Sequence, residues 1–329
     1  MKKQKALISF LITAFLFFFL LKDIDFILFF KYLREGNPAL VAVAVSVYLF
    51  SFVIRGLRWK LLISHLGSFK TGELAMLTVS GYAVNNIMPV RIGEFARAWV
   101  TGKTKNVSRT AVLASIFVER VFDGLTIAAI LFIMIFLYPF PQNIKTLGLM
   151  AFAFFLLLFL FIMVGTFSQK PFKILQFIRD KVPASGFMVD VAEKFLKGAS
   201  SIKSTRIFIA ATVLSFGVWA VELAVYVMIT KAFNVDVPAV GYLLMLCAAN
   251  LGMLAAPTPG GLAVFQAAIV YSLKFFSILY EKRMAVAIVL HMSQIIPVTI
   301  IGLLWLWYNQ ITLSMIEREE EKDIGNIKS

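Results

Sequence analysis

This chain has very few of the residues from which metal centres and disulfide frameworks are built. Among its 329 residues are one cysteine, Cys247, and two histidines, His65 and His291. A single cysteine excludes an intrachain disulfide, and the three residues together make no recognisable metal-binding pattern. No metal ion and no other cofactor is expected, and each histidine is interpreted as structural.

Motifs for nucleotide binding and for nucleophilic catalysis are also missing. The sequence has no G-x-x-x-x-G-K-[ST] loop, no G-x-G-x-x-G, no H-E-x-x-H and no G-x-S-x-G elbow. No soluble stretch is long enough for a catalytic domain. The sequence therefore excludes ATP-driven transport by this chain alone, and no enzymatic activity is predicted.

Charge is scarce, and apolar residues dominate. Charged residues make up 15% of the chain and hydrophobic residues 60%, which is outside the usual range of a soluble domain. A hydrocarbon core of about 30 Å is crossed by about 20 helical residues. We predict an all-α polytopic membrane protein, with one integral membrane domain over residues 1–329. The apolar runs are residues 6–21, 38–54, 74–90, 111–137, 147–168, 206–229, 239–256, 260–280 and 284–308.

The basic residues lie mainly in the short loops between these runs, which explains the net charge of +14 without nucleic acid. Loops rich in Lys and Arg face the cytoplasm. On that rule 22 basic residues, including Arg55, Arg58 and Arg97, lie inside and 8 outside. This predicts cytoplasmic N- and C-termini in the plasma membrane of a prokaryote. The first apolar run precedes no small-residue cleavage site and is interpreted as an uncleaved helix.

Two apolar segments carry breaks and are predicted to be re-entrant hairpins. Basic loops flank residues 74–96 on both sides, so this segment enters and leaves from the cytoplasm, with its turn near Asn86 to Pro89. Residues 239–280 form the second hairpin, from the opposite side, with its turn at Pro257 to Gly261. About six full spans and two hairpins result. Broken helices from opposite sides are typical of inverted-repeat transporters, so an internal repeat is a candidate.

Two polar segments lie outside the predicted spans. Residues 169–205 alternate basic and apolar side chains, which favours amphipathic helices on the cytoplasmic leaflet, although a plain connector fits equally well. Residues 309–329 are interpreted as a polar C-terminal tail.

The first hairpin concentrates polar groups where lipid surrounds the chain. Arg91, Glu94 and Arg97 are spaced by three, so they share one helix face. A charge at bilayer depth costs roughly 2.5–3.5 kcal/mol on insertion scales. We interpret Arg91, helped by Arg97, as a site for a phosphate or carboxylate, with Glu94 holding the guanidinium. The alternative is an ion pair that only stabilises the hairpin.

Further charges lie in neighbouring runs. Glu119, Arg120 and Asp123 fall well inside residues 111–137, and Glu222 inside residues 206–229. The acidic groups are candidates for counter-ions or for a proton or cation relay, with purely structural ion pairs as the alternative. At Pro257-x-Pro259-Gly260-Gly261 a helix N-terminus near Leu262 favours an anion, and a tight turn without ligand is the alternative.

Three of these patterns together resemble the membrane domain of the lysylphosphatidylglycerol synthase/flippase family. They are Asn86-x-x-Pro89-x-Arg91-x-Gly93-Glu94-x-x-Arg97, Glu119-Arg120-x-x-Asp123 and Pro257-x-Pro259-Gly260-Gly261-Leu262-x-x-Phe265. The resemblance implies movement of a lipid between leaflets. Gln266 stands where the family often has Glu, which puts an acid–base role there in doubt. The chain ends about twenty residues after the last predicted span, without the family's aminoacyl-transferase domain, so lysyl transfer is not predicted.

The resulting hypothesis is a flippase for an anionic or aminoacylated phospholipid, or for an isoprenoid-linked lipid. Ion coupling is assigned to Glu119, Asp123 and Glu222. The alternatives are a membrane component of a lipid-modifying enzyme and a small-solute secondary transporter. The implied partners are membrane phospholipids, with a separately encoded enzyme and a second copy of the chain left open. The predicted headgroup groove consists of Asn85, Asn86, Pro89, Arg91, Gly93, Glu94, Arg97, Glu119, Arg120, Asp123, Asn250, Pro257, Pro259, Gly260, Gly261 and Gln266.

Overall fold

The computed structural model of the chain is helical throughout the part it describes and contains no β-strand there. It describes residues 2–88, 92–167, 189, 193, 195, 196, 198–255 and 258–319, with side chains from residue 10 onward. Most of the predicted connector and the end of the predicted tail lie outside these residues. The helices are α1 (Lys2–Leu21), α2 (Phe26–Glu35), α3 (Pro38–Ile63), α4 (Thr71–Ile87), α5 (Gly93–Lys105), α6 (Arg109–Leu137), α7 (Gln142–Phe167), α8 (Thr205–Ala232), α9 (Ala239–Ala255), α10 (Val264–Lys274) and α11 (Tyr280–Tyr308).

The prediction of an all-α membrane protein is confirmed. Helices α3, α6, α7, α8 and α11 are long and apolar enough to cross a bilayer, and α1 and α9 contain shorter apolar stretches. Side-chain caps fix where several of them begin. Asn37 accepts hydrogen bonds from the N–H groups of Ala39 and Leu40 at the start of α3, and Ser108 caps α6 in the same way. Such caps satisfy N–H groups that lack a partner within the helix.

The first predicted hairpin is formed by α4 and α5. The two helices touch closely, because a Cβ placed on Gly93 would overlap the carbonyl oxygen of Gly81. At the far end, Lys105 Nζ lies 2.9 Å from Glu73 Oε2, which joins the end of α5 to the start of α4. The segment therefore enters and leaves on one side of the molecule.

The second hairpin, formed by α9 and α10, enters from the opposite side. A Cβ on Gly241, near the start of α9, would lie 2.9 Å from the ring of Phe276, just after α10. The N–H of Asn37 donates to the carbonyl of Ala232 over 2.9 Å, so α3 starts where α8 ends. The hairpins that follow α3 and α8 thus begin on opposite sides. An internal repeat stays a prediction.

The tips of the two hairpins meet inside the molecule. A Cβ on Gly260 would lie 3.4 Å from the carbonyl oxygen of Asn86, at the end of α4. Gly260 and Gly261 both have positive φ angles, of 57° and 73°, which glycine adopts at no steric cost. The breaks in both hairpins therefore come together at one place.

Helix α4 is held between α3 and α11 by glycine contacts. A Cβ on Gly56 would lie 2.8 Å from the N atom of Ala75, and one on Gly302 would lie 2.9 Å from the carbonyl oxygen of Val79. Small residues allow helix backbones to approach closely where no hydrophobic force between helices is available. This packing fixes the position of the first hairpin.

Charged side chains lie between the two apolar cores. Along α3, Phe52 belongs to one core cluster and Trp59 to the other, and Arg55 and Arg58 lie between them. The assignment of these two arginines to a cytoplasmic loop was wrong, because α3 continues to Ile63 and buries both. Removing them and buried Arg97 from the 22 inner basic residues leaves 19 against 8 outside, so the predicted orientation is unchanged.

Candidate functional site

Eight charged residues from four helices form one ion-pair network among the described residues. Four are arginines and four are carboxylates, so the network as a whole is neutral. Helix α3 supplies two arginines, α5 and α6 supply both signs, and α8 supplies one carboxylate. The members are Arg55, Arg58, Glu94, Arg97, Glu119, Arg120, Asp123 and Glu222.

Two pairs in this network are deeply buried. Arg58 makes two bonds to Asp123, from Nη1 to Oδ1 at 2.6 Å and from Nη2 to Oδ2 at 3.1 Å. Arg97 does the same with Glu119, at 3.4 and 3.0 Å. This two-pronged geometry gives the strong form of the charge-assisted bond. Arg58 also donates to Ser215 Oγ over 2.9 Å, so these pairs connect α3, α5, α6 and α8.

Two arginines of the network reach beyond this enclosed part. Arg55 donates to Glu222, and its other terminal nitrogen stays 3.8 Å from Asp123. Arg120 donates to the hydroxyl of Tyr82 over 3.1 Å and lies 3.6 Å from a carboxylate oxygen of Glu94. The side chains of Arg120 and Glu94 are 33% and 30% exposed, so this pair is accessible.

Aromatic rings surround these arginines. The Arg55 guanidinium lies 5.5 Å from the ring centroid of Tyr82 and 5.6 Å from that of Trp219. The guanidinium of Arg97 lies 4.0 Å from the ring of Trp59. Cation–π contacts of this kind gain strength where water is excluded. They help to hold the charges away from solvent.

Asn85 of α4 bridges the break of the first hairpin by hydrogen bonds to the start of α5. The N–H of Gly93, at the start of α5, donates to Asn85 Oδ1 over 2.7 Å, and Asn85 Nδ2 donates to Glu94 Oε2 over 3.1 Å. Ile92, the residue before α5, provides no side-chain cap, so an asparagine on α4 caps α5 across the break. Asn86 Nδ2 donates to Thr299 Oγ1 over 2.9 Å, which fixes the tip to α11.

The tip of the second hairpin is held by His291 of α11. Its Nε2 lies 3.0 Å from the Gly260 carbonyl oxygen, and its Nδ1 lies 2.9 Å from Gln266 Nε2. Because a carbonyl only accepts, Nε2 carries the proton, and Nδ1 then accepts from the Gln266 amide. The ring also stacks on Phe265, with centroids 4.2 Å apart. His291 thus joins both sides of the break.

A cavity of about 400 Å³ lies where the network meets the hairpin tips. Its lining includes the charged residues Arg55, Arg120, Glu94, Asp123 and Glu222. The lining also includes apolar residues that reach the outer surface of the protein. Among them are Phe154, Leu254 and Phe117, which are 58%, 54% and 38% exposed. The cavity therefore joins buried charges to the surface that faces lipid.

The structure places the predicted groove residues in three groups. Those that line the cavity are Asn85, Asn86, Glu94, Arg120, Asp123, Asn250, Gly260 and Gly261, together with Glu222. Those that lie away from its walls are Gly93, Arg97, Glu119, Pro259 and Gln266. Pro89, Arg91 and Pro257 lie outside the described residues. The predicted anion site at Arg91 therefore stays a prediction, and Arg97 is engaged by Glu119.

Sequence reasoning missed several residues of this site. Arg55 and Arg58 were hidden by ending the second apolar run at residue 54, although Leu57, Trp59 and Leu61 continue an apolar pattern past them. Their spacing of three, which places both on one helix face, was the available signal. Tyr82, Trp219 and Gln294 also line the cavity or touch the network, and no sequence signal marks them out from other residues in apolar helices.

No carboxylate of the network is arranged for a metal ion. Within the described part of the chain, no three His, Cys, Asp or Glu residues come together as a candidate metal site. The acidic groups meet arginines instead.

The comparison with known families agrees with these features. The family model described as lysylphosphatidylglycerol synthase TM region matches residues 6–302, which is nearly the whole chain. The chain belongs to this family. It is an integral membrane protein of the flippase-like type that the resemblance implied.

Two curated proteins are similar to this chain. The UPF0104 membrane protein MJ1078 of Methanocaldococcus jannaschii is 24% identical over 246 residues, which cover 74% of this chain and 99% of that protein. Glycosyltransferase AglD of Haloferax volcanii is 37% identical over 99 residues, which cover 30% of this chain and 16% of AglD. The match to AglD thus concerns a small part of that longer protein.

Proposed function

We propose that this protein moves lipids between the two leaflets of the membrane, with the headgroup passing through the cavity and the acyl chains staying in the bilayer. The observation that supports this is the mixed lining of the cavity. Arg55, Arg120 and Glu94 offer polar contacts, and Phe154 and Leu254 of the same lining reach the outer surface of the protein. An amphiphile has the same division between a polar head and apolar tails.

The main barrier to lipid movement is the loss of headgroup hydration. A polar group taken into hydrocarbon without hydrogen bonds costs roughly 2–7 kcal/mol. The network and the amides at the hairpin tips replace part of that hydration inside the protein. The Arg58–Asp123 and Arg97–Glu119 pairs keep the polar wall in place, because removing any one of these groups would leave its partner charged and buried.

Transport by this chain is downhill or ion-coupled, because the sequence has no nucleotide-binding motif. Of the acidic groups predicted to couple ions, Asp123 and Glu222 line the cavity, whereas Glu119 is completely enclosed by arginines. Asp123 and Glu222 are therefore the better candidates for coupling. An anionic headgroup would meet Arg120 and Arg55 first, because Arg97 is engaged away from the cavity.

Reconstituted vesicles test the proposal. Lipids with a fluorescent acyl chain are quenched by dithionite only in the outer leaflet, so extra quenching measures movement. Arg120→Gln removes a charge that lines the cavity but leaves the enclosed pairs intact. We expect it to slow movement about tenfold, as loss of one charge-assisted hydrogen bond of roughly 1.5 kcal/mol would. Arg206→Gln, at an exposed arginine, is the matched control. If Arg120→Gln and Arg206→Gln moved lipid at equal rates, the cavity would not lie on the pathway of the headgroup.

A second candidate is the membrane component of a lipid-modifying enzyme. The match to a glycosyltransferase, over 99 residues of this chain, favours it. The lipids of a deletion strain separate the two. Loss of the modified lipid supports the enzyme component, whereas modified lipid that accumulates in the inner leaflet supports the flippase.

A further inference from the structure

We propose that the headgroup this cavity accepts is an uncharged polyol, such as a sugar, rather than a free anion or a free cation. This inference rests on the proposed function and specifies its substrate class. Three features of the cavity support it: its charge balance, its unpaired hydrogen-bond donors and its aromatic faces.

The first feature is the balance of charge. The described residues of the network are four arginines and four carboxylates, and each arginine lies within 4.0 Å of a carboxylate. At the cavity wall itself Arg55 and Arg120 face three carboxylates. An anion entering here would meet arginines whose charge these carboxylates already balance, and it would be repelled by the carboxylates themselves. An uncharged group meets no such repulsion.

The second feature is a set of buried donors without a hydrogen-bond partner. Trp219 Nε1 and Gln294 Nε2 are in this state, and both side chains line the cavity and are more than nine-tenths buried. Arg55 Nε, Arg55 Nη1 and Arg120 Nε at the same cavity also lack a hydrogen-bond partner. Buried polar groups in native proteins are nearly always hydrogen-bonded, often through a water or a ligand. Their state predicts that an acceptor atom occupies the cavity in the working protein.

The cavity also contains hydrogen-bond acceptors, which require donors on the headgroup. The carboxylate of Glu94 is 30% exposed, with Asn85 Nδ2 at 3.1 Å from one of its oxygens. A phosphodiester offers only acceptors and an ammonium group only donors. A hydroxyl group does both. Several hydroxyl groups on one headgroup can therefore bond to Trp219 and Gln294 while donating to Glu94.

The third feature is the set of aromatic faces. Tyr48, Tyr82, Trp219, Tyr226 and Phe265 all line the cavity. Tyr and Trp combine a flat apolar face with a polar edge, and a sugar ring likewise has C–H faces and hydroxyl edges. A cavity of about 400 Å³ also falls in the size range of small-ligand sites. The aromatic faces and the volume of the cavity thus suit a single sugar ring.

The experiment compares headgroups in the dithionite assay. Vesicles with the full chain carry a trace of one tail-labelled lipid: glucosyl-diacylglycerol, phosphatidylglycerol or lysylphosphatidylglycerol. We expect the glucosyl lipid to move at least about fivefold faster than either charged lipid. Trp219→Phe keeps the aromatic face beside Arg55 but removes the N–H, and Gln294→Met removes the amide. Each should slow the glucosyl lipid several-fold and change the charged lipids little. Trp307→Phe is the control, because Trp307 is 78% exposed.

The outcomes are separable. If a charged lipid moves as fast as the glucosyl lipid, the inference on substrate class is wrong and lipid movement stands. If Trp219→Phe and Gln294→Met leave the glucosyl rate unchanged, the donors do not read the headgroup and the inference is also wrong. If no lipid moves faster than in protein-free vesicles, the proposed function itself fails. Thermal melting of each purified variant shows whether a lower rate reflects loss of folded protein.

Discussion

At the scale of single residues, the ion-pair network divides into groups that hold the fold and groups that face the cavity. Arg58, Arg97 and Glu119 are enclosed. Arg97 donates to Glu119, and Arg58 donates to Asp123 and lies 3.5 Å from Glu119. A buried pair of this kind adds little stability compared with apolar residues, but breaking it costs much. Arg120 and Glu94 are one-third exposed at the cavity, where solvent weakens their mutual attraction.

This division predicts different effects for two similar substitutions. Glu119→Gln leaves Arg97 buried without its carboxylate and should destabilise the protein by about 3–5 kcal/mol. Glu94→Gln removes an accessible charge and should cost less than about 1 kcal/mol, while slowing lipid movement. Thermal melting of the purified variants measures the first effect and the dithionite assay the second. If Glu94→Gln melts as early as Glu119→Gln, the two parts of the network are not distinct.

A double replacement checks the cause of that instability. Arg97→Met together with Glu119→Leu removes both charges of the enclosed pair. Since replacing a buried ion pair by apolar residues is often neutral or stabilising, the double variant should melt above Glu119→Gln alone. A double variant that melts lower than the single one would show that the pair has a further role, through the contacts of Glu119 with Arg58 and Arg120.

At the scale of helices, one close contact controls the apolar side of the cavity. Phe155 of α7 lies directly over Gly124 of α6, so that a Cβ on Gly124 would overlap its ring. Both residues line the cavity. Gly124→Ala should therefore push the ring aside and cost about 1–3 kcal/mol from overpacking. Adding Phe155→Ala should restore part of that stability. Thermal melting measures the stability of both variants. If the double variant were no more stable than Gly124→Ala, the strain would not arise from contact with the Phe155 ring.

The hairpin tip held by His291 gives a second prediction at this scale. His291→Leu removes the bonds to Gly260 and Gln266, so the tip should open more often. With Cys247 changed to Ala, a cysteine at buried Thr258 reports opening through its rate of maleimide labelling. We expect labelling to rise several-fold in His291→Leu. His65→Leu, on the turn after α3, is the control and should leave the rate unchanged. Equal rates in both variants would show that His291 does not hold the tip.

The sequence allowed the hairpins to be predicted but not the network as a whole. Basic residues lie in the loops before Glu73 and after Arg97. Because basic loops face the cytoplasm, both ends of the first hairpin were predicted on that one side. The breaks at Pro and Gly residues marked both tips. The extent of α3 could not be predicted in the same way, because arginines next to an apolar run usually lie in a loop. The carboxylates of Glu119, Asp123 and Glu222, distant in sequence, make Arg55 and Arg58 tolerable inside the protein.

At the scale of the whole molecule, contacts between helix ends define two faces. Lys105 contacts Glu73 at 2.9 Å and Arg109 contacts Glu319 at 3.1 Å, which brings the ends of α5 and the residues after α11 to one face. Lys282 donates to the Asn234 carbonyl over 3.1 Å on the other face, where α8 ends and α11 begins. Each hairpin begins and ends on its own face, and the two tips share the cavity between them. In the proposed function, a headgroup arriving from either leaflet would meet the same charged residues.

The orientation of these faces in the membrane is the remaining prediction. Since the sequence assigns 19 basic residues to segments on the side of the first face and 8 to segments on the side of the second, the first should be cytoplasmic. In protein lacking Cys247, a cysteine at Lys103 should react with an impermeant maleimide only in inside-out vesicles. A cysteine at Asn143, next to the link between α6 and α7, should react only in intact cells. Both side chains are exposed. If the cysteine at Lys103 were labelled from outside, the predicted orientation would be wrong. If both cysteines were labelled from the same side, α6 would not be a full span.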